Sequence, residues 1–466
     1  MNISGKNVWP IIEGGKGIGI SNGVTAGHFA KAGAVGTFSG ANPSVIDENG
    51  EREELIYKGK TRIERHRELI EYSIRGGISQ AQIANSIDSS NNGRIHMNVL
   101  WEMGGAIEVL EGILSGTKDG EKSNLIHGVT SGAGMPYKLA EITSKFGVYY
   151  YPIVSSARAF SILWKRSYKN FSEFLGGVVY EDPWLAGGHN GLSSNESPDS
   201  PMDPKERIID LRKTMNELGL HHVPIVMAGG VWHLNDWKDY IDDSRIVPIA
   251  FQFGTRPLLT RESPIVKKWG AKLLDLKPGD VSLNKFSPTG FYSSAVRNKF
   301  LNDLIQRSER QVLYSDSENE ICSLRFVYNK KLDRAIYIKF DDCEKVNRWV
   351  NEGFEEIMKT PDETVVFVTL DQKRRIVRDQ VECMGCLSHC RFSNWKDHGD
   401  FTTGIKPDPR SYCIQKTLQA ALHDDNIENE LMFSGHNAFK FGQDDFYKNC
   451  HIPTIDELVQ RILIGL

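Results

Sequence analysis

The stretch PIVMAGGV, residues 224 to 231, decides how this chain is read. Five residues without a charge run into a pair of glycines, which is how a strand buried on both faces looks when a tight turn follows it. Working outward, seven more segments of this kind lie within the first 260 residues: NVWPIIEG (7–14), AVGTFSG (34–40), RIHMNVLW (94–101), LIHGVTSG (125–132), VYYYPIVSS (148–156), GGVVYEDP (176–183) and VPIAFQFGT (247–255).

Between them, TAGHFAKAG, AQIANSI, AIEVLEGILSG, PYKLAEITSKFG, SARAFSILWKRSYKNF and PKERIIDLRKTMNELG have helical apolar spacing, and several end at glycine, a favoured helix terminator. Eight strand–helix units predict an α/β fold, a TIM (β/α)8 barrel rather than an open doubly wound sheet. The expected barrel domain spans 1–314, with 41–93 as an insertion holding a charged helix around RIERHRELIEYSI.

The 466 residues exceed what one core usually serves, so a second domain is expected. From about 315 the pattern changes. CSLRFVYNKK and RAIYIKFDD read as a hairpin, EKVNRWVNEGFEEIMK as a helix and TVVFVTLD as a strand, which makes 315–466 a smaller α+β domain.

Charge is nearly balanced, 56 Lys+Arg against 60 Asp+Glu, so no global field draws the chain to nucleic acid or anionic lipid. No leader pattern and no 18-residue apolar run is seen, and a cytoplasmic protein without membrane contact is expected.

In a barrel the residues just after each strand build the site. Here they are glycine-rich: GGKGIGIS (14–21), LAGGHNG (185–191), MAGGV (227–231) and FQFGTR (251–256). Glycines after strands seven and eight let backbone N–H groups approach a phosphate. His189 is the histidine within these loops, and a neutral imidazole can give or take a proton near pH 7.

The ordered set WPIIEGGKGIGIS, HMNV, HGVTSGAGMP, YPIVSS, AGGHNG, PIVMAGGV and AFQFGTRPLLTRES resembles the nitronate monooxygenase, or 2-nitropropane dioxygenase-like, flavoenzymes, a family that includes FMN-dependent enoyl-acyl-carrier-protein reductases. ELMFSGHNAFKFG with IPTIDELVQRI is similar to the family's closing segment. The resemblance implies an FMN-dependent oxidoreductase with Gly229, Gly230, Gly254 and Thr255 on the FMN phosphate. It implies Gly14, Gly15, Lys16, Asn98, Gly187 and Gly188 along the flavin, and His189 as the catalytic acid/base. Lys16, Tyr149 and Leu185 depart from the family pattern, at places usually held by methionine, lysine and an acid. NAD(P)H is a candidate reductant. The expected partner is a small-molecule or carrier-bound substrate, with homodimerisation left open.

CMGCLSHC (383–390) places Cys383, Cys386 and Cys390 in the spacing C-x2-C-x3-C, and Cys413 follows in RSYCIQK. Four thiolates suit tetrahedral zinc or a [4Fe-4S] cluster. One tight trio plus a distant fourth favours iron–sulfur, and the string resembles the cluster signature of other FMN barrels such as 2,4-dienoyl-CoA reductase and trimethylamine dehydrogenase. Cys322, Cys343 and Cys450 read as ordinary thiols, with His389 and His398 as substitute ligands. Residues 371–416 carry nine Lys/Arg against six Asp/Glu, interleaved with Phe392, Trp395, Phe401 and Tyr412. A packed core with a solvated face is favoured over a grip on an acidic carrier, CoA or RNA.

Overall fold

The computed structural model describes residues 1–464, apart from Glu48, Glu121, Lys122, Ser194 and Lys330; the Cys450 side chain also lies outside the described residues. All eight expected strands are present: β1 (Ile11–Glu13), β2 (Val35–Ser39), β3 (Arg94–Leu100), β4 (Gly128–Gly132), β5 (Tyr149–Val154), β6 (Val178–Glu181), β7 (Ile225–Ala228) and β8 (Ile249–Phe253). They close into a parallel barrel in chain order, with β8 pairing β1. The chain is therefore a TIM barrel with additional C-terminal elements.

Alternating positions explain the continuous apolar runs. Ile12, Val35, Tyr151, Val179, Val226 and Ala250 fill the interior, while Ile11, Phe38, Met97, Val178, Ile225 and Phe251 face the helices. The helices are α1 (Gly23–Lys31), α2 (Arg62–Ile87), α3 (Ala106–Gly116), α4 (Leu139–Lys145), α5 (Ala157–Arg166) and α6 (Pro204–Glu217).

The span 41–93 differs from the expectation of an insertion plus a separate AQIANSI helix. Its 26-residue helix α2 joins β2 to β3 and packs against α1 and α3, so it takes the place of a barrel helix. A Thr61–Glu64 capping box starts it. The pair Gly76–Gly77 reads as a break, yet both sit at close approaches: a Cβ at Gly77 would stand 2.2 Å from Ile113 Cδ1.

Residues 315–466 divide into three parts. Thr364–Val368 lies between Gln311–Leu313 and Glu356–Lys359 in an antiparallel sheet, beside the expected hairpin Leu324–Asn329/Arg334–Ile338, around a core of Phe326, Ile336, Trp349 and Phe367. The helix expected across EKVNRWVNEGFEEIMK stops at Asn351, and Glu356–Lys359 is a strand. Gly353, at φ +94°, turns the chain between them. The cysteine segment lies over the barrel mouth, where Gly104 N–H donates to Cys386 O at 3.0 Å and Ser388 N–H to Glu102 O at 2.7 Å. The last helix, Ile455–Leu463, returns to the barrel and buries Ile455, Leu458, Val459 and Ile462 in the main core. Among the described residues, no helix is long and apolar enough to cross a membrane.

Candidate active site

The ends of the strands surround a cavity of about 230 Å³ at the barrel mouth. Its wall contains Gly14, Gly15, Lys16, Asn98, Gly187, Gly188, His189, Gly229, Gly230, Gly254 and Thr255, so the barrel residues expected to hold the cofactor or act in catalysis meet in one place. Leu185 also borders it. Tyr149 does not: its hydroxyl lies by Gly5, beneath the N-terminal end of β5.

Two adjacent strands, β7 and β8, end at Gly229–Gly230 and Gly254–Thr255. Both Gly229 and Gly230 have positive φ, +96° and +76°, which turns the chain sharply away from β7. Among the described residues, the N–H groups of Gly229, Gly230, Gly254 and Thr255 find no acceptor in the protein. Four unpaired donors at adjoining strand ends suit an anion such as phosphate. A Cβ at Gly254 would meet nothing within 4 Å, so this backbone faces open space. At Gly15 a Cβ would stand 2.2 Å from Asn98 Cβ, and only glycine lets β1's loop pass over Asn98.

Lys16 Nζ donates to the buried Glu13 carboxylate at 3.2 Å and to Gly14 O at 2.8 Å. Burial pulls its pKa below the ordinary lysine value, opposed by the Glu13 charge. Burial also lowers His189 to about 4, leaving the imidazole neutral near pH 7. Its Nε2 lies 2.6 Å from Ser287 Oγ, and its ring meets Phe433 edge-on at 5.2 Å.

The cysteine segment contributes Cys386, Leu387, Ile414, Gln415 and Leu418 to the same wall. Cys383, Cys386 and Cys390 are buried and Cys413 is partly so, all in one apolar cluster. Desolvation raises the Cys386 thiol well above its usual range, and then the charges of Cys413, Cys390 and Cys383 raise it further. Cys390 is pushed up to about 11 by burial and by Cys383, and Cys413 to about 12, mainly by burial. The four thiols therefore lie within electrostatic reach of one another. Gly385 N–H and Ser393 O–H reach Cys383 Sγ at 3.4 and 3.1 Å. Among the described residues, no three His, Cys, Asp or Glu side chains are gathered closely enough to hold one metal ion. Neither zinc nor an iron–sulfur centre is thereby shown. Exposed His398 is turned to Asp397 at 2.9 Å.

Phe392, Trp395 and Tyr412 are buried in this cluster, and Lys416 pairs with Asp379 and Glu382. The interleaved aromatics are core rather than a stacking surface.

Several wall residues were not singled out from sequence. Glu181 ends β6 in the cavity, and burial followed by repulsion from Asp182 raises its carboxyl to about 8. Its place at a strand end was the available signal. Phe433, Ser434, Gly435 and Asn437 enter from the C-terminal segment; Gly435 N–H donates to Thr255 Oγ1 at 2.8 Å, and Asn437 Nδ2 to Gly230 O at 2.6 Å. Ser287 belongs to a hairpin, Val281–Asn284/Ser293–Val296, whose second strand pairs with Gly188–His189. No local sequence signal marked it.

Among solved structures, the chain is similar to FabK from Thermotoga maritima, with TM-score 0.52 and 12% identity over 98% of this chain and 91% of that one. The enoyl reductase domain of MlnA, from the macrolactin biosynthesis cluster of Bacillus amyloliquefaciens, gives TM-score 0.52 and 12% identity over 97% and 92%. A nitroalkane oxidase from Streptomyces ansochromogenes aligns over 63% of this chain and 79% of that one, with 16% identity and TM-score 0.44. At these identities the first two likenesses establish a shared fold. No family model and no curated protein matches the chain.

Proposed function

We propose that the protein is an FMN-dependent oxidoreductase of the nitronate monooxygenase-like type, with His189 as general acid/base. The observation that carries this reading is the set of unpaired N–H groups on Gly229, Gly230, Gly254 and Thr255. It fits an FMN phosphate after strands seven and eight, where this fold commonly binds one. Gly14, Gly15, Asn98, Gly187 and Gly188 line the same cavity and would border the flavin. The bound flavin would supply hydride or electron transfer. The chain's own part is to hold the phosphate on the four N–H groups, to keep Lys16 at the cavity wall and to hold His189 neutral beside the reacting carbon. There the imidazole takes a proton from, or gives one to, that carbon.

We also read Cys383, Cys386, Cys390 and Cys413 as ligands of a [4Fe-4S] cluster. Their mutual electrostatic reach supports this, as do the apolar seal and the two donors on Cys383 Sγ. Tetrahedral zinc on the same four thiolates is the alternative. Cys386 borders the cavity that His189 borders, which suits one-electron exchange with a bound flavin and favours a second reading, reduction of a conjugated C=C bond on a CoA- or carrier-bound substrate.

Purified protein is expected to carry FMN and to contain iron and acid-labile sulfide. A protein that is colourless once its flavin is removed and contains zinc would remove the cluster reading. His189→Ala is expected to keep its flavin and to lose about 10²–10⁴-fold in turnover, the usual worth of acid–base catalysis; unchanged turnover would remove the assigned role. Anaerobic flavin reduction by NADH, NADPH or propionate-3-nitronate distinguishes the donors.

A further inference from the structure

His189 has a partner that leads away from the cavity. Its Nε2 is 2.6 Å from Ser287 Oγ, which is 2.9 Å from Thr289 Oγ1. Ser287 is 2% exposed, whereas Thr289 is only partly buried, so the three groups run from the cavity wall towards the surface. Backbone donors give the row a direction. Phe291 N–H donates to Thr289 Oγ1 at 3.2 Å, and Thr289 N–H donates to Ser287 Oγ at 3.3 Å. Each hydroxyl has one proton to pass on. The consistent arrangement has Thr289 O–H pointing at Ser287 Oγ and Ser287 O–H at His189 Nε2. The ring proton then sits on Nδ1, which has no hydrogen-bond partner in the protein among the described residues.

The row is held at both ends by other parts of the fold. Gly188–His189 pairs with Ser293–Ser294, and Asn190 N–H donates to Tyr292 O at 3.1 Å. From the cysteine segment, Ser411 Oγ donates to Phe286 O at 2.7 Å and Arg391 N–H to Pro288 O at 2.9 Å, one on each side of Ser287.

We infer that Ser287 and Thr289 are positioning residues that form a two-hydroxyl proton wire between solvent and His189, setting its tautomer and replacing the proton it transfers. This rests on the reading of His189 as general acid/base. When Nδ1–H gives its proton to a substrate atom, Nε2 takes the Ser287 hydroxyl proton. Ser287 then takes that of Thr289, and Thr289 takes one from water. One N–H bond breaks and one forms, the ring stays neutral throughout, and one solvent proton reaches the substrate. Proton abstraction runs the same chain in reverse. A ring that resists a second proton, as burial makes this one do, can act as an acid at neutral pH only if its other nitrogen is supplied in step.

The test is nitrogen-15 NMR of the full-length protein labelled at histidine, with the His189 signals identified by their loss in His189→Gln. The wild type is expected to show Nδ1–H with Nε2 as acceptor. Ser287→Ala is expected to move the ring towards the Nε2–H tautomer, and Ser287→Thr to restore the original. Thr289→Val, which leaves Ser287 in place, is expected to keep the tautomer and to slow exchange of the ring proton with water at least tenfold. An unchanged tautomer in Ser287→Ala, or wild-type exchange in Thr289→Val, overturns the wire. Neither measurement needs turnover: loss of the wire with an inactive His189→Ala refutes this inference alone, whereas an active His189→Ala refutes the role it serves.

Discussion

Arg256 and Asp444 form a buried ion pair, Nη2 to Oδ2 at 3.0 Å, that ties the end of β8 to the C-terminal segment. Trp232 Nε1, His233 Nε2 and Arg461 Nη2 reach the same carboxylate at 3.0, 3.2 and 3.4 Å. One acid thus joins the loops after β7 and β8 to the last helix. Although burial opposes ionisation, these donors hold the Asp444 carboxyl below its ordinary range. Asp444→Ala leaves Arg256 buried without its partner, which costs about 3–5 kcal/mol. The expected outcome is a lower Tm together with weakened FMN retention, read by calorimetry and flavin absorbance.

Gly254 and Gly15 should fail differently when given a methyl group. Gly254→Ala adds a Cβ that meets no protein atom within 4 Å, so the flavin-free protein should melt like the wild type while binding FMN poorly. Gly15→Ala drives a Cβ into Asn98 and should lower the melting temperature of the flavin-free protein as well, by overpacking worth about 1–3 kcal/mol. Equal Tm losses in both variants would contradict the assignment of Gly254 to an open cradle.

Glu181 gives a pH signature. Its folded pKa is raised to about 8, above the unfolded value, so between the two the unfolded chain holds fewer protons than the folded one. Its contribution therefore makes stability fall as pH rises from about 4.3 to about 8, and level off above that. Glu181→Gln removes this slope: the flavin-free variant should exceed the wild type in Tm at pH 8 and match it more closely at pH 4.5. A Tm difference that stays constant over this range would show that Glu181 is not held protonated.

The four cysteines of the proposed cluster should behave as a set. Cys386→Ser is expected to lose bound iron and sulfide while retaining FMN, because the phosphate cradle lies on β7 and β8. Cys322→Ser, at a buried thiol outside the cysteine segment, should change neither. Retention of stoichiometric iron in Cys386→Ser would remove that residue from the ligand set.

The barrel was legible in the sequence because each strand is buried on two faces and ends in a turn that only certain residues make. Apolar runs such as IVMA and IAFQF can be placed without knowing their neighbours, and the glycines after them mark strand ends. That is why Gly229, Gly254 and His189 could be assigned to one face before any contact was known. The helix α2 was harder to read, since Gly76–Gly77 has the local appearance of a break and serves as a packing surface for residues far away in sequence. The strand Glu356–Lys359 was read as helix because its pairing with Thr364–Val368 outweighs the local pattern.

Local patterning along the chain is enough to set the (β/α)8 order, the glycine-lined strand ends and the four thiols in their spacing. These follow from periodicity and backbone preference, which act over a few residues. Folding is what brings Cys386 to the cavity wall that His189 shares, sets Ser287 against the imidazole and lets Asp444 lock the closing helix to two strand-end loops. The contacts of His189 with Ser287 and of Asp444 with Arg256 and Trp232 join residues 98, 188 and 212 positions apart, and no local pattern encodes them. They arise when the chain returns to bury apolar faces that it could not cover nearby.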